Sequence, residues 1–138
     1  SKRAKALNHF GFDSNKKTLL IIGGSLGART INKSILKSID KLQETGVQII
    51  WQTGKGYFAA SKDALSGQDL RRIRLYDFLK EMDLAYAAAD VVISRSGALA
   101  VSELCIAGKA TILVPSPNVA EDHQTKNAMA LVNKEAAV

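Results

Sequence analysis

The sequence predicts an α/β domain built on a doubly wound, Rossmann-like parallel sheet. Five short segments rich in apolar residues occur along the chain, and the first, 18–22, is a continuous apolar run typical of a strand that is buried on both faces. Helical apolar periodicity or alanine-rich sequence separates these segments, and glycine-containing turns follow the first and the fourth. Because strands that alternate with helices pair in parallel through right-handed crossovers, these observations indicate one layered α/β unit.

The predicted strands and helices alternate in the following order. The strands are predicted at residues 18–22, 47–51, 72–76, 91–93 and 110–114, and the third is polar enough for a sheet edge. The first helix is predicted from the helical spacing of its apolar residues and ends at Gly46; those residues are Ile31, Ile35, Ile39 and Leu42. Further helices are predicted at 57–65, 81–89 and 98–107, and a last one after Asp122 ends near Asn133.

Composition places the chain among ordinary globular domains. Its 138 residues are 46% apolar and 23% charged, and no apolar run approaches the roughly 20 residues of a membrane span. A single cysteine excludes an internal disulfide and fits a reducing cytosol. Both ends look like cuts in a longer protein, so we expect an excised domain of residues 18–138 preceded by a lead-in of residues 1–17.

Much of the net charge of +6 lies in that lead-in, which holds five lysines and arginines against one aspartate. A basic segment of this kind can contact nucleic acid or an anionic membrane. No aromatic stacking series or nucleic-acid recognition motif accompanies it, so we expect a solvated linker or helix and no nucleic-acid partner.

The topology predicts where a ligand binds. In the common strand order 3-2-1-4-5, strands one and four are neighbours, and ligands bind beyond their carboxyl ends. The two glycine turns, at residues 23–28 and 94–98, follow these two strands and therefore face one crevice. Helix starts after such turns present unpaired N–H groups and a positive dipole end, which favours a nucleotide with a diphosphate.

The second of these turns leads into a predicted helix that carries Glu103. A carboxylate there could accept hydrogen bonds from both hydroxyls of a ribose. The alternative for the stretch 94–103 is an ordinary strand–helix corner with a solvated glutamate.

Two common nucleotide motifs do not match the first turn. The dinucleotide fingerprint needs glycine in place of Ser25 and an acid in place of Gln52 or Thr53. The P-loop pattern needs a lysine that is absent after Gly27. What remains is a nucleotide held by backbone amides, by Ser25 and by Glu103.

A third group of polar residues, Asp122, His123 and Gln124, follows the fifth predicted strand and points to the same crevice. The Gln124 amide suits sugar hydroxyls, and His123 is a candidate general acid or base. The alternative is a helix-capping cluster with a surface histidine. The sequence shows no metal-ligand cluster and no serine–histidine–aspartate set, so no metal and no cofactor is expected; helix dipoles can stabilise a diphosphate leaving group instead.

These motifs carry a family resemblance. The segments 23–29, 52–54 and 94–98, together with Glu103, 122–124, Asn127 and Ala128, resemble the C-terminal half of the MurG family of bacterial glycosyltransferases. The resemblance implies one half of a two-domain GT-B inverting transferase. Such an enzyme moves N-acetylglucosamine from UDP-GlcNAc to a lipid-linked muramoyl pentapeptide, forming lipid II, as a peripheral protein on the cytoplasmic face of the inner membrane.

The resemblance also implies roles for individual residues. Ser25 would contact the donor, the Phe78–Leu79 backbone would read the uracil edge, Glu103 would hold the ribose, and Gln124 beside His123 would bracket the sugar. The glycines expected to shape the phosphate loops are Gly23, Gly24, Gly27 and Gly97. The residues expected along the donor after the second turn are Ala98, Leu99, Ala100, Val101, Ser102 and Glu103, of which the first three would offer amides to the diphosphate. Ala100 stands where many relatives have threonine, which removes one hydroxyl contact.

The same resemblance places the acceptor-binding half and the catalytic base in an N-terminal domain, so this chain alone should bind the donor weakly and catalyse nothing. Three other functions remain open. They are a separate UDP-GlcNAc-binding subunit of a two-subunit transferase, a sugar-nucleotide epimerase of the GT-B type, and a nucleotide-sensing module.

Overall fold

The computed structural model describes residues 2–23, 29–95 and 110–114, with the side chains of Thr30, Arg95 and 110–114 left aside. Its five strands are β1 (Thr18–Ile22), β2 (Gln48–Gln52), β3 (Ile73–Tyr76), β4 (Val91–Arg95) and β5 (Ala110–Val114). Its helices in these ranges are α1 (Lys2–Phe10), α2 (Arg29–Lys37), α3 (Ile39–Thr45), α4 (Phe58–Ala64) and α5 (Met82–Ala88). The helices predicted at 98–107 and after Asp122 lie outside the described residues.

The five strands form one sheet in the order β3-β2-β1-β4-β5, and each neighbouring pair is parallel. This confirms the predicted doubly wound topology, with β1 in the centre and β3 at an edge. Strand bounds differ slightly from the predictions: β2 begins one residue later, and β4 extends two residues further, to Arg95.

Apolar side chains on the two faces of the sheet form two separate cores. Leu19 and Ile21 of β1 belong to the core that also contains residues of α2 and α3. Leu20, between them in the strand, belongs to the core that contains residues of α1 and α5. The alternation follows from the two-residue repeat of a strand, so β1 contributes to both helical layers.

The apolar stripe after the first turn is buried as predicted, but the single predicted helix is two. Ile31, Ile35, Ile39 and Leu42 are all at most 5% exposed. At Ser38 the backbone leaves helical geometry (φ −104°, ψ 7°), which separates α2 from α3. Serine is a weak helix former, which favours a break at this position, whereas the apolar stripe continues across it. α3 then ends at Gly46, whose φ of 77° lies in the left-handed region that glycine tolerates.

The basic lead-in is a helix, but it is not a freely solvated one. Ala6, Leu7 and Phe10 of α1 are at most 3% exposed and share a core with α5. The Phe10 ring lies edge-on to Tyr76, with 6.3 Å between the ring centroids. Three apolar positions on one face are therefore enough to pack the helix onto the sheet, while Lys2 and Lys5 remain exposed. Within residues 2–23 and 29–95, no helix is long and apolar enough to cross a bilayer.

Asp90 joins the starts of β1 and β4. Its carboxylate accepts the Thr18 backbone N–H at 2.8 Å, and its own N–H donates to the Thr18 carbonyl at 2.8 Å. Arg3 of α1 donates to the same carboxylate oxygen at 3.4 Å. One side chain thus connects the two central strands and the first helix.

We predict that Asp90→Ala lowers the free energy of unfolding by about 1–3 kcal/mol, because the Thr18 N–H loses its acceptor in a buried position. Asp90→Asn keeps an acceptor oxygen and should cost under about 1 kcal/mol, the usual value of a partly exposed ion pair. Urea denaturation followed by the emission of the single tryptophan, Trp51, measures both. The exposed Asp63→Ala is the control, expected within about 0.5 kcal/mol of wild type. Equal losses for Asp90→Ala and Asp90→Asn would contradict the backbone role.

Candidate functional site

The carboxyl ends of β1 and β4 lie side by side, as the topology predicts. Ile22 of β1 pairs in register with Ser94 of β4, and Gly23 follows Ile22 directly. Gly23 is buried, and its N–H donates to the Gln52 carbonyl at 2.8 Å. The first residue of the predicted turn 23–28 therefore lies beside the end of β4, whereas Ser94 and Arg95, predicted as the start of the second turn, still belong to that strand.

Of the site residues proposed from the sequence, the structure describes Gly23, Phe78 and Leu79. The others lie outside the described residues: Gly24, Ser25, Gly27, Gly97, Ala98, Leu99, Ala100, Val101, Ser102, Glu103, His123 and Gln124. The structure does describe the carboxyl ends of the strands, which form the edge of the sheet at which the loops with these residues begin.

That edge is a row of residues in register across four strands. Tyr76 of β3 pairs with Gln52 of β2, Gln52 pairs with Ile22, and Ile22 pairs with Ser94. Because all strands are parallel, the loops after these residues emerge on the same side of the sheet. The loop carrying Phe78 and the two glycine turns therefore border one edge.

Asn32 fixes α2 against the end of β2. Its amide nitrogen donates to the Thr53 carbonyl at 3.0 Å, and its amide oxygen accepts the Trp51 indole N–H at 3.0 Å. Asn32 is 3% exposed, and Thr53 and Trp51 are fully buried. These bonds hold the first turns of α2, directly after the glycine turn, beside the carboxyl edge. Asn32 is not predicted as a site residue from the sequence, because its only signal is a polar residue next to the apolar stripe of its helix.

Gln52 fixes the loop after β3. Its side-chain oxygen accepts the Leu79 N–H at 2.9 Å, while the preceding N–H, that of Phe78, donates to the Asp77 carboxylate at 2.6 Å. The Leu79 side chain is buried, and the Phe78 ring is about half exposed. The loop thus exposes an aromatic ring at the edge of the sheet, while the Gln52 side chain fixes its backbone.

Tyr76, at the end of β3, has a phenol whose pKa is raised above its ordinary value. Burial raises the pKa of its phenol, and the neighbouring Arg74 opposes that shift. The side chain therefore stays neutral around pH 7. No group of three or more metal-binding side chains occurs in the part of the chain that the structure describes.

Comparison with known proteins assigns the family. The family model for the glycosyltransferase family 28 C-terminal domain matches residues 18–138. The chain belongs to this family. A curated relative from Parabacteroides distasonis is 56% identical over 138 residues, which is the whole of this chain and 38% of the relative. That relative is named UDP-N-acetylglucosamine--N-acetylmuramyl-(pentapeptide) pyrophosphoryl-undecaprenol N-acetylglucosamine transferase.

Solved structures agree on the fold of this family 28 domain. Acinetobacter baumannii MurG superposes with a TM-score of 0.63 at 28% identity, covering 92% of this chain and 36% of MurG. A UDP-GlcNAc 2-epimerase from Neisseria meningitidis superposes with a TM-score of 0.66 at 15% identity, covering 98% of this chain and 42% of the epimerase. The fold is therefore that of one half of a GT-B protein, and the chain spans well under half of each of these relatives.

We predict that Asn32→Ala destabilises the domain by about 1–3 kcal/mol, because the Trp51 N–H and the Thr53 carbonyl lose their partner in the interior. Thermal or urea unfolding monitored by circular dichroism measures the loss. The exposed Asn8→Ala in α1 is the matched control and should be neutral or slightly stabilising, since alanine is the better helix former. A cost below about 0.5 kcal/mol for Asn32→Ala would show that these bonds do not hold α2.

Proposed function

We propose that the chain is the donor-binding half of an inverting glycosyltransferase. The complete enzyme moves N-acetylglucosamine from UDP-GlcNAc to undecaprenyl-diphosphate-muramoyl-pentapeptide and forms lipid II for peptidoglycan synthesis. One observation carries the proposal: the two glycine turns leave neighbouring strands of a chain that is closely similar to a protein named as this transferase. Because the chain spans only part of that relative, the activity belongs to a longer protein.

The donor site combines the described edge with residues assigned by resemblance. In this proposal the uracil base of the donor lies by the Phe78–Leu79 loop, Ser25 contacts the donor, and Glu103 accepts hydrogen bonds from the ribose. The backbone amides of residues 98–100 face the diphosphate. Gln124 and His123 flank the sugar.

The groups that bind the diphosphate would also stabilise UDP as the leaving group. In an inverting transfer, an acceptor hydroxyl attacks the anomeric carbon on the side opposite the diphosphate, while the bond from that carbon to the phosphate oxygen breaks. Backbone N–H groups and helix dipoles stabilise the negative charge that develops on the departing UDP. The hydroxyl proton goes to a base on the other half of the enzyme, which also binds the lipid-linked acceptor. We place the enzyme on the cytoplasmic face of the inner membrane as a peripheral protein.

Two alternatives are a separate UDP-GlcNAc-binding subunit and an epimerase-type domain. The epimerase superposes as well as MurG does, so the backbone alone does not separate transfer from epimerisation. Sequence similarity favours the transferase, because identity to MurG is nearly twice the identity to the epimerase.

The test is calorimetric titration of the chain with UDP-GlcNAc, UDP-GalNAc, UDP and NADH. We expect the uridine compounds to bind, with UDP-GlcNAc preferred over UDP-GalNAc. Glu103→Ala should weaken UDP binding by about 1.5–3 kcal/mol, the value of a hydrogen bond to a charged group, or roughly 10- to 150-fold.

The matched control is Glu44→Ala, an exposed carboxylate on α3, which precedes β2 and so lies at the opposite edge of the sheet. It should leave UDP binding unchanged. Binding of NADH without the uridine compounds would contradict the family function. Binding of UDP with no preference between the two sugars would count against a GlcNAc transferase.

A further inference from the structure

Strand β2 carries two buried glutamines on the same face. Gln48 and Gln52 are four residues apart, and successive side chains of a strand alternate, so both point to the layer of α1 and α5. They are 2% and 4% exposed. Both side chains reach away from the sheet ladder to the backbone of a distant loop.

Gln48, at the amino end of β2, has a structural role: its side chain bonds the connection between α1 and β1. Its side-chain oxygen accepts the Asp13 N–H at 2.6 Å, and its nitrogen donates to the Asp13 carbonyl at 3.0 Å. The same nitrogen lies 3.2 Å from the Thr18 hydroxyl. These bonds hold the connection between α1 and β1, on the side of the sheet away from the candidate site.

Gln52, at the carboxyl end of the same strand, holds two segments that border the candidate site. Its main-chain oxygen accepts the Gly23 N–H at 2.8 Å, at the start of the first glycine turn. Its side-chain oxygen accepts the Leu79 N–H at 2.9 Å, in the loop that exposes Phe78. A single residue therefore sets the position of one segment relative to the other.

The spacing of the two segments suits a nucleotide. β3 and β1 are separated by β2, so the Phe78 loop and the glycine turn lie about two strand spacings apart, roughly 10 Å. This is about the size of a nucleoside. An exposed aromatic ring can pack on a planar base, and Gly23, where the first glycine turn begins, is at the distance of a nucleoside's far end.

We propose that Gln52 is a positioning residue for the nucleobase. It holds the Phe78 loop at a fixed distance from the glycine turn, so that base and diphosphate are engaged together. The inference rests on the proposed function. Without the Gln52 side chain the Leu79 N–H loses its buried acceptor and the loop shifts to find another, whereas the main-chain bond to Gly23 is kept. The base subsite should therefore suffer and the diphosphate subsite should not.

The experiment compares wild type, Gln52→Met and Gln48→Met, which remove the same amide group from the two ends of one strand at similar side-chain volume. UDP binding is measured by calorimetry, and inorganic pyrophosphate binding by titration of backbone amide resonances. We expect Gln52→Met to weaken UDP binding at least tenfold and to change pyrophosphate binding less than twofold. Gln48→Met should change neither by more than twofold, even where both variants lose similar stability.

Several results would overturn the proposal. Unchanged or tighter UDP binding by Gln52→Met would show that Gln52 is idle or competes with the base, while the proposed function stands. Equal losses for UDP and pyrophosphate, or a similar loss in Gln48→Met, would show a general structural role. Wild type that binds no UDP would contradict the proposal that this half binds the donor, and would remove this inference with it.

A second measurement, hydrogen exchange of the Leu79 backbone N–H, can be made on wild type without replacing Gln52. In wild type, the Leu79 N–H should exchange with solvent as slowly as amides of the central strands, with and without UDP. Gln52→Glu, which keeps an acceptor oxygen, should retain that protection, and Gln52→Met should lose it at least tenfold. Fast exchange of this amide in wild type would overturn the proposal even if the variants do not fold.

Discussion

The parallel pairing of β1 with β4 is the constraint on which the rest of the structure depends. β1 pairs with the next strand in sequence, β2, on one side and with β4, far along the chain, on the other. At the amino ends, Asp90 and Thr18 exchange hydrogen bonds from both backbone and side chain. This pairing closes the centre of the sheet. It also places the turn after Ile22 beside the turn after β4, so the candidate site follows from the order of the strands.

Buried polar side chains determine where the loops lie around that sheet. Asn32, Gln48, Gln52 and Asp90 each bond the backbone of another element, over separations of 21 to 72 residues. Apolar packing is tolerant of small shifts, but an unpaired buried N–H or carbonyl is costly, so these bonds select one position for each segment. Two of the four act at the carboxyl edge, on α2 and on the Phe78 loop, where a ligand would need preformed geometry.

The sequence is informative about the fold wherever one physical signal dominates. Runs such as 19–22 are apolar throughout because both faces of the sheet are covered, and this predicts the strands; their order follows from the common doubly wound topology. The break at Ser38 escaped prediction because the apolar stripe continues through it. The burial of α1 escaped because its three core residues are matched by three lysines and arginines. The side-chain bonds of Asn32 and Gln52 leave no periodic trace, since each depends on a partner that only folding brings near. The motif residues from Ser25 to Gln124 stay predictions from resemblance.

The comparisons show that the fold of this domain does not determine the reaction. A transferase and an epimerase superpose on it almost equally well, although the epimerase has little sequence in common with it. What the superposition shows is a shared backbone, and folds of this type bind ligands at the carboxyl ends of neighbouring strands. It says nothing about what happens at the anomeric carbon, because that depends on groups placed around the sugar. In the transferase that we propose, the acceptor and the catalytic base come from the other half, and this half would contribute through preorganisation. Under that proposal, rigid placement of the nucleobase and the diphosphate would leave the sugar as the part of the donor that faces the other half.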